Sequence, residues 1–545
     1  MRSPWHIGAA VAIVVVAVAR VVATYDVFSH TVDEPPHIAA GLEWLERGQY
    51  TFEVQHPPLA RIAVALGPYL AGTRLQDLGS MREEGVAALY DRGAYRANLA
   101  RARLGTLPFL ILSCIAVWAW STRLFGATAG VWSLLVYSLV PPVLAHAGLA
   151  TTDMALNGSL LAALALAAAW SDRPSYGLAV LVGAAAGIAV LSKFTALVFV
   201  PLGIAAIVAM SPLVMSRRAA DPRQPWGRVA LQVLAGGGCA LLVVWAGYRF
   251  SAFYPSSLGG LVPWPAPELV DGVRAVASHN AEGHPTYLLG ERGMTGWPHF
   301  FLVALAVKTP IALFVLAGLG ATAAARATRG IPDRRWVAPV LAAALILLSV
   351  LPARINLGVR HVLPIYALLS VVAGVGVTGV WSSARVRHGG RAAVVALLLW
   401  LGYGSATAHP DYLTYFNALA GSRPDRVLNG SDFDWGQDFN RLVDSAKSRG
   451  LDSVWVAVRH PTEDVRKQGL PDMRRLPPDS MVTGWVAVPD FHAKAILHDG
   501  FTWTNAFTPV LQVGKTIRVY HITSQDLARR GTEPGSRPLD DAAPP

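Results

Sequence analysis

The chain has 545 residues, of which 53% are hydrophobic and 15% charged, whereas a soluble domain carries roughly 25% charged residues. With a mean hydropathy of +0.40, this composition excludes a soluble enzyme, a disordered chain and a coiled coil, and it indicates a membrane protein with many spans. The net charge is +11; in a membrane protein such an excess reflects where Lys and Arg lie relative to the bilayer, so we expect no nucleic-acid partner.

Apolar runs of about the 20 residues needed to cross a bilayer recur along the first three quarters of the chain. The first run could instead be a signal peptide, but only Arg2 precedes it and no convincing small-residue cleavage site stands before Thr24, which favours a retained anchor. The sequence therefore predicts a mainly α-helical, polytopic membrane bundle of about eleven spans within residues 1–408. The runs cover residues 7–23, 104–121, 128–147, 153–170, 176–192, 194–211, 229–248, 299–324, 337–353, 361–381 and 392–408.

The basic residues of the short loops favour one orientation, with the N-terminus in the cytoplasm. The short outer loops then hold few basic residues, namely Lys193, Arg354 and Arg360. The cytoplasmic segments hold fourteen arginines and three aspartates, which together account for the whole excess of +11. These residues are Arg2, Arg123, Arg173, Arg217, Arg218, Arg223, Arg228, Arg326, Arg329, Arg334, Arg335, Arg385, Arg387 and Arg391, with Asp172, Asp221 and Asp333.

Two long segments between the predicted spans then face outward, residues 24–103 and 249–298. The first predicts helices near 34–47 and 58–71, each beginning with a Pro pair that suits the first turn of a helix. Apolar residues recur at helical spacing in the earlier helix, so we expect that helix to lie along the membrane surface. The segment 249–298 is rich in Pro, Gly and Trp and is typical of a loop over the membrane.

The tail from residue 409 also faces outward and has a different pattern. Residues 454–458, 482–488 and 516–522 are typical of strands, and 436–449 of a helix, so we predict a small extracytoplasmic α/β domain over residues 409–525. Residues 526–545 are polar and Pro-rich, which predicts a disordered tail.

Two adjacent carboxylates, Asp33 and Glu34, follow the first span and precede His37 by about one helical turn. One interpretation is helix capping, with Asp33 as the N-cap and Glu34 near the positive end of the helix dipole. The other is a carboxylate base at the membrane–water boundary, where burial would raise its pKa towards neutral pH. The pattern alone leaves both interpretations open.

Three features together resemble the GT-C glycosyltransferases, whose bacterial branch is similar to protein O-mannosyltransferases and the lipid A aminoarabinose transferase. They are the Asp33–Glu34 pair, the His-Pro-Pro-Leu-Ala segment at residues 56–60, and the Thr-Asp-Met run at residues 152–154. The resemblance covers mainly residues 1–410. It implies a multi-pass enzyme of the bacterial inner membrane that uses a polyprenyl-phosphate sugar donor on the outer face. It also implies that Asp33 is the catalytic base, with Glu34 beside it.

Sugar transfer from a lipid phosphate requires cations that bind the phosphate and stabilise its developing charge. Each cation at the outer face could instead have no role in phosphate binding and simply extend its charged end from the membrane to the water interface. That alternative is weaker for Lys308, which interrupts the eighth span, although a carboxylate partner within the bundle would also explain it. The candidate phosphate-binding residues are Lys193, Lys308, Arg354, Arg360 and His361.

Three further residues, Asp153, His37 and His56, are candidates for contact with the acceptor or with a divalent metal ion. No sequence pattern requires a metal ion, so its presence stays open. Asp153 could instead cap the fourth span, and His56 could shape a turn. In the tail, Asp432, Asp434 and Trp435 are candidates for a sugar-binding site. A calcium loop is an alternative, although the spacing fits an EF-hand poorly, and Asp434 could simply cap the next helix.

The sequence therefore predicts an inverting glycosyltransferase that moves a sugar from a polyprenyl-phosphate donor to a hydroxyl of a protein, lipid or glycan acceptor. Two alternatives stay open: a lipid or solute transporter or flippase, and a noncatalytic glycan-binding membrane protein. Transporters often have repeated halves, and we find no internal repeat here, while the candidate polar residues gather on one predicted face.

Overall fold

The computed structural model describes residues 4–211, 226–253, 264–328, 334–382, 388–458, 472–497 and 500–531. Several residues used in the orientation argument lie outside these ranges, as do residues 532–545 of the predicted disordered tail. The orientation residues concerned are Arg2, Arg217, Arg218, Asp221, Arg223, Arg329, Asp333, Arg385 and Arg387.

The described chain is mainly helical, as predicted. Its α-helices are α1 (Pro4–Val22), α2 (Glu34–Arg47), α3 (Pro58–Leu70), α4 (Met81–Tyr90), α5 (Tyr95–Leu104), α6 (Leu107–Phe125), α7 (Ala127–Ser138), α8 (Pro141–Ala147), α9 (Asp153–Asp172), α10 (Tyr176–Ser192), α11 (Ala196–Ala209), α12 (Trp226–Gly247), α13 (Pro267–Glu282), α14 (Phe300–Lys308), α15 (Ile311–Ala327), α16 (Val337–Val350), α17 (Pro364–Ser382), α18 (His388–Thr407), α19 (Phe439–Ser448), α20 (Asp490–Ala493) and α21 (Ser524–Gly531). The strands are β1 (Ala252–Phe253), β2 (Trp264–Pro265), β3 (Thr286–Leu288), β4 (Glu291–Gly293), β5 (Ser453–Val456), β6 (Asp472–Arg475), β7 (Gly484–Pro489), β8 (Leu511–Val513) and β9 (Ile517–Ile522).

All eleven apolar runs form helix, but they differ in length. Within the described ranges, six helices are long and apolar enough to cross a membrane, or eight if two bent pairs each count as one span. The pairs α7–α8 and α14–α15 bend by 69° and 98°, each at a proline that cannot continue the helical hydrogen bonds. The other three runs, α10, α11 and α16, are shorter than 18 residues. Helix length therefore supports six to eight spans rather than eleven.

Glycines allow the central helices to approach each other closely. Gly320 of α15 faces α17, and a side chain there would clash with the backbone carbonyl of Val372. Gly376 of α17 faces Leu316 and Gly320 in return. Small residues at such contacts are the usual basis of helix association in membranes, because lipid provides little hydrophobic drive between helices.

Three of the residues placed in cytoplasmic segments, Arg123, Asp172 and Arg335, lie close together. The Arg123 guanidinium donates to the Asp172 carboxylate at 2.6 Å, and Arg335 lies 3.2 Å from the same carboxylate. Near the chain start, the His6 ring lies 3.2 Å from the Thr128 hydroxyl. These contacts agree with the predicted division of the loops between two ends, while the direction in which the bundle is inserted stays a prediction.

The first outer segment forms a small helical layer of its own. Helices α2 to α5 pack around a core that includes Ile38, Leu42 and Val64. The apolar face of α2, which we expected to lie on the membrane surface, thus packs against protein, with Ile38 and Leu42 fully buried. The helix α3 instead leaves Leu66 and Leu70 exposed.

The tail folds into a small α/β domain, as predicted. Its five-stranded sheet has the order β6-β5-β7-β9-β8. Strand β5 runs parallel to β6 and β7, whereas β9 is antiparallel to β7 and β8. Helix α19 packs on the sheet through Leu442 and Val443, against Val454 and Val456. Strands β6 and β8 were not predicted, because β6 is largely polar and β8 has only three residues. Helix α21 overlaps the first residues of the tail that we predicted to be disordered.

The glycine contact between α15 and α17 gives a stability test. We expect Gly320→Leu to destabilise the protein by about 1–3 kcal/mol or more, because the side chain would overpack a helix contact. Gly318→Leu is the matched control, since nothing lies within 4 Å of a side chain at Gly318. Thermal unfolding of both variants in detergent tests this; equal melting temperatures for the two would contradict the packing described here.

Candidate active site

A cavity of about 410 Å³ lies where the outer segments meet the C-terminal domain and the bundle. Five groups of residues line most of it: two from the first outer segment, one from the second, one from the bundle and one from the tail. They are Val32, Asp33, Pro36 and His37; Glu53, Gln55 and His56; His279, His284, Thr286 and Tyr287; Lys193, Phe194, Arg360 and His361; and Asn429, Ser431, Asp434, Trp435, Phe491 and His492.

Asp33 faces this cavity and does not cap helix α2. Its side chain makes no capping hydrogen bond and instead accepts one from the Arg360 guanidinium at 2.8 Å. An N-cap side chain binds the N–H of the second or third helical residue. Those positions are Pro35 and Pro36, which have no N–H. The proline pair therefore leaves the Asp33 carboxylate free to face the cavity.

A second ion pair lies directly behind the first. The Lys193 ammonium donates to the Asp153 carboxylate at 2.5 Å, and the Arg360 guanidinium lies 3.8 Å from the other oxygen of Asp153. Asp153 is almost fully buried, whereas Lys193 and Arg360 line the cavity. Two carboxylates and two cations thus form one continuous network, with Arg360 between Asp33 and Asp153.

The surroundings fix the protonation states of this network. Burial alone would raise the pKa of Asp33, but the Arg360 guanidinium outweighs it and holds that pKa below its usual range. Burial lowers the pKa of His56 to about 4 and those of His37 and His361 well below their usual value, and nearby cations add to the effect. At neutral pH Asp33 is therefore ionised and these three histidines are neutral.

The histidines form one wall of the cavity. The rings of His37 and His56 meet edge to face, with 5.0 Å between their centroids. The Nδ1 atom of His56 lies 3.0 Å from the Glu53 carboxylate, which also pairs with the buried Arg61. His56 therefore both precedes the turn into α3 and contributes a ring to the cavity.

Glu34 lies outside the cavity lining and has a different environment from Asp33. It is completely buried and pairs with Arg103 at 2.8 and 3.0 Å. The same carboxylate accepts hydrogen bonds from the backbone N–H groups of Thr31 and Ala150. It thus joins the first outer segment to α5 and to the segment that precedes α9.

Two of the candidate phosphate-binding cations do not line the cavity. The Lys308 ammonium is buried at the bend between α14 and α15 and donates to the backbone carbonyls of Leu413 and Asp432, both at 2.7 Å. The Arg354 guanidinium donates to the carbonyl of Ala281 at 2.9 Å. The geometry therefore leaves Lys193, Arg360 and the neutral His361 as the predicted phosphate-binding residues that line the cavity.

The two tail carboxylates proposed to bind sugar, Asp432 and Asp434, are close to the site, but both accept hydrogen bonds from the protein backbone. The Asp432 carboxylate accepts the N–H of Val359 at 3.1 Å. Asp434 lines the cavity and accepts the N–H groups of Phe491 and Gly436, and burial raises its pKa to about 7. Asp434 makes no capping contact with α19, which begins after Asp438.

Sequence reasoning missed several charged residues around the cavity. Arg82 lines it and donates to the backbone carbonyl of Val32 at 3.1 Å. Arg61, Glu53 and Arg103 form the ion pairs beside it and behind it. The ion pair of Arg61 could have been predicted from the sequence, because a charge on the apolar face of a helix such as α3 needs a buried partner.

The residues that could hold a metal ion do not form a suitable cluster. Within the described ranges, no group of three or more His, Cys, Asp or Glu side chains is placed to bind one. The candidates Asp33 and Asp153 instead form ion pairs with Arg360 and Lys193.

Comparison with known proteins supports the fold. The model of the family "Dolichyl-phosphate-mannose-protein mannosyltransferase" matches residues 96–237, about a quarter of the chain. The structure of ArnT from Cupriavidus metallidurans bound to undecaprenyl phosphate superposes with a TM-score of 0.50 at 15% identity, over 94% of this chain and 98% of that chain. The apo oligosaccharyltransferase of Archaeoglobus fulgidus gives a TM-score of 0.50 at 11% identity, over 91% of this chain and 72% of that chain. No curated protein sequence matches the chain. These matches confirm the GT-C-like fold expected from the sequence.

The different surroundings of the two adjacent carboxylates give a second test. We expect Glu34→Gln to cost about 3–5 kcal/mol of stability, because it leaves Arg103 buried without its counter-charge. Asp33→Asn should have a smaller effect, since Asp33 is partly exposed and Arg360 keeps Asp153. Thermal unfolding of the two variants in the same detergent measures the difference; a wild-type melting temperature for Glu34→Gln would refute the structural role of Glu34.

Proposed function

We propose that the protein is an inverting glycosyltransferase of the bacterial inner membrane. It transfers a sugar from a polyprenyl-phosphate donor to a hydroxyl of a protein, lipid or glycan acceptor on the outer face, with the N-terminus in the cytoplasm and the C-terminal domain outside. The observation that carries the proposal is a cavity in which an ionised carboxylate, Asp33, lies beside the cations Arg360 and Lys193. A donor phosphate needs the cations, and an acceptor hydroxyl needs the base.

Asp33 acts as the general base. The acceptor oxygen attacks the anomeric carbon of the sugar from the side opposite the phosphate, and its proton passes to the Asp33 carboxylate. The new bond joins the acceptor oxygen to the anomeric carbon while the bond from that carbon to the phosphate oxygen breaks. One displacement of this kind inverts the configuration and requires no covalent enzyme intermediate.

Lys193 and Arg360 receive the phosphate. The donor is a phosphodiester with one negative charge, and the departing polyprenyl phosphate gains a second, which nearby cations stabilise as it develops. Both side chains line the cavity, and both are paired with carboxylates before the donor binds. The bound undecaprenyl phosphate of the structurally similar ArnT supports a polyprenyl phosphate as the donor class.

Phosphate binding would also activate the base. In the free protein Arg360 holds the pKa of Asp33 below its usual range. A phosphate that draws Arg360 away, and that adds its own negative charge nearby, raises the pKa of Asp33. The carboxylate then becomes a stronger base only when the donor is in place.

The assignment of roles predicts distinct effects of three variants. Asp33→Asn should lower turnover of polyprenyl-phosphate sugars by about 10²- to 10⁴-fold, the usual contribution of a general base, while still binding undecaprenyl phosphate. Arg360→Met and Lys193→Met should weaken that binding as well as turnover. Assays of purified protein with binding titrations test this, with Arg274→Met on the exposed surface of α13 as the control. Wild-type turnover by Asp33→Asn would remove Asp33 as the base.

The activation of Asp33 predicts a particular pH dependence. Because the base must be ionised, the rate falls as the pH drops below the pKa of Asp33. The acid limb of kcat/KM reports the free enzyme and that of kcat reports the donor complex. We therefore expect the acid limb of kcat to lie at higher pH than that of kcat/KM. Limbs at the same pH, measured over a series of buffered assays, would contradict the exchange of Arg360 between Asp33 and the phosphate.

A further inference from the structure

We propose that the loop formed by residues 429–438, the 429–438 loop, positions the proposed catalytic pair Asp33–Arg360, and that Trp435 is its central positioning residue. The proposal rests on the function proposed above. It assigns a role to the Asp-Trp-Gly-Gln run at residues 434–437, for which the sequence left both sugar binding and helix capping open.

The loop contacts Arg360 and the backbone that carries it. The centre of the Arg360 guanidinium lies 4.3 Å from the centroid of the Trp435 ring, a distance typical of a cation–π contact. The Asp432 carboxylate accepts the N–H of Val359 at 3.1 Å, and the Ser431 hydroxyl donates to the carbonyl of Leu357 at 2.7 Å. Side chains from three loop positions therefore fix the turn that presents Arg360.

The same loop fixes the chain that leads to Asp33. The N–H of Val32, directly before Asp33, donates to the carbonyl of Trp435 at 3.1 Å. The N–H of Ser29 donates to the carbonyl of Gln437 at 3.0 Å, and its hydroxyl donates to the carbonyl of Gly436 at 2.9 Å. The two partners of the proposed catalytic pair are 327 residues apart in sequence, and this loop contacts the immediate neighbours of both.

The residue types of the run suit this role. Gln437 accepts the N–H of Trp435 and donates to the carbonyl of Phe433, both at 2.8 Å, so its side chain closes the loop. Gly436 has a φ of +92°, a backbone conformation that favours glycine. The Asp434 carboxylate accepts the N–H of Phe491 and so joins the loop to the C-terminal domain.

The loop is also attached firmly at both of its ends. The Lys308 ammonium, buried within the bundle, donates to the carbonyl of Asp432 at 2.7 Å. At the other end, the Asp438 carboxylate accepts the N–H groups of Lys515 and Thr516 from the C-terminal domain. The buried lysine, which interrupts a predicted span, thereby stabilises the site from outside the cavity.

Trp435 is poorly placed to stack on a sugar. It is 5% exposed, Arg360 lies over its ring, and the ring of His146 meets it edge to face with 6.3 Å between centroids. The indole therefore contacts the guanidinium through its ring, in addition to the salt bridge that Arg360 makes with Asp33. When a phosphate replaces Asp33 as the partner of Arg360, the contact with Trp435 can persist and keep the guanidinium oriented.

The first experiment needs no substrate. Hydrogen–deuterium exchange is compared for wild type, Trp435→Leu, Trp435→Phe and the control Trp485→Leu, whose indole lies on β7 outside the cavity lining. We expect Trp435→Leu to speed exchange of the backbone amides in residues 29–33 and 357–362, and Trp435→Phe to retain most of the protection. Unchanged exchange in Trp435→Leu, or the same change in Trp485→Leu, would overturn the positioning role.

The second experiment measures transfer from a polyprenyl-phosphate sugar. Trp435→Leu should lower kcat/KM for the donor on the order of tenfold and move its acid limb to higher pH, because a less ordered Arg360 depresses the pKa of Asp33 less. Trp435→Phe should restore most of the loss. An unshifted acid limb in Trp435→Leu would overturn the proposal. If wild type shows no turnover, the proposed function fails, whereas the exchange measurement still decides whether the loop positions Asp33 and Arg360.

Discussion

The salt bridge between Asp33 and Arg360 joins the first outer segment to the turn before α17, and it does so at the wall of a cavity. Charges removed from water are costly unless they are paired, so every charged group in this region requires a partner. Arg360 meets that requirement twice, with Asp33 and with Asp153, and Lys193 completes the network. The outer segments and the bundle therefore take up their arrangement around this group of charges.

A network of two carboxylates and two cations is balanced when the site is empty. An anionic ligand changes that balance, because it competes with the carboxylates for the same cations. In the proposed mechanism, the two cations are paired with carboxylates while the site is empty, and a carboxylate is released when an anion enters. In this account, the stability of the empty site and the reactivity of the occupied site depend on the same side chains.

Much of the fold followed from the sequence, since apolar runs specify helices. The bends between α7 and α8 and between α14 and α15 were not predicted, although Pro141 and Pro310 cannot continue a helix. The lengths of α10, α11 and α16 were not evident, because a run of apolar residues does not show where the helix turns. Part of the candidate site was also predictable. The positions of Asp33, Lys193 and Arg360 at span ends placed them on one face, and the Pro pair after Glu34 could have excluded capping by Asp33.

Other parts of the site depend on contacts that a sequence does not reveal. Lys308 lies within the eighth predicted span and Arg354 directly after the ninth, but which way each side chain points depends on packing with distant segments. The partner of Trp435 is similarly invisible, because aromatic residues beside carboxylates suggest sugar binding as readily as contact with an arginine. Only the fold brings residues 29–33 and 357–362 to the same loop.

The most direct test of the central claim is a structure of the protein with bound undecaprenyl phosphate. The account predicts the phosphate in the cavity, within hydrogen-bonding distance of the Lys193 ammonium and the Arg360 guanidinium, with the Asp33 carboxylate released from Arg360. A phosphate held by Lys308 or Arg354, with the Asp33–Arg360 salt bridge intact, would contradict it.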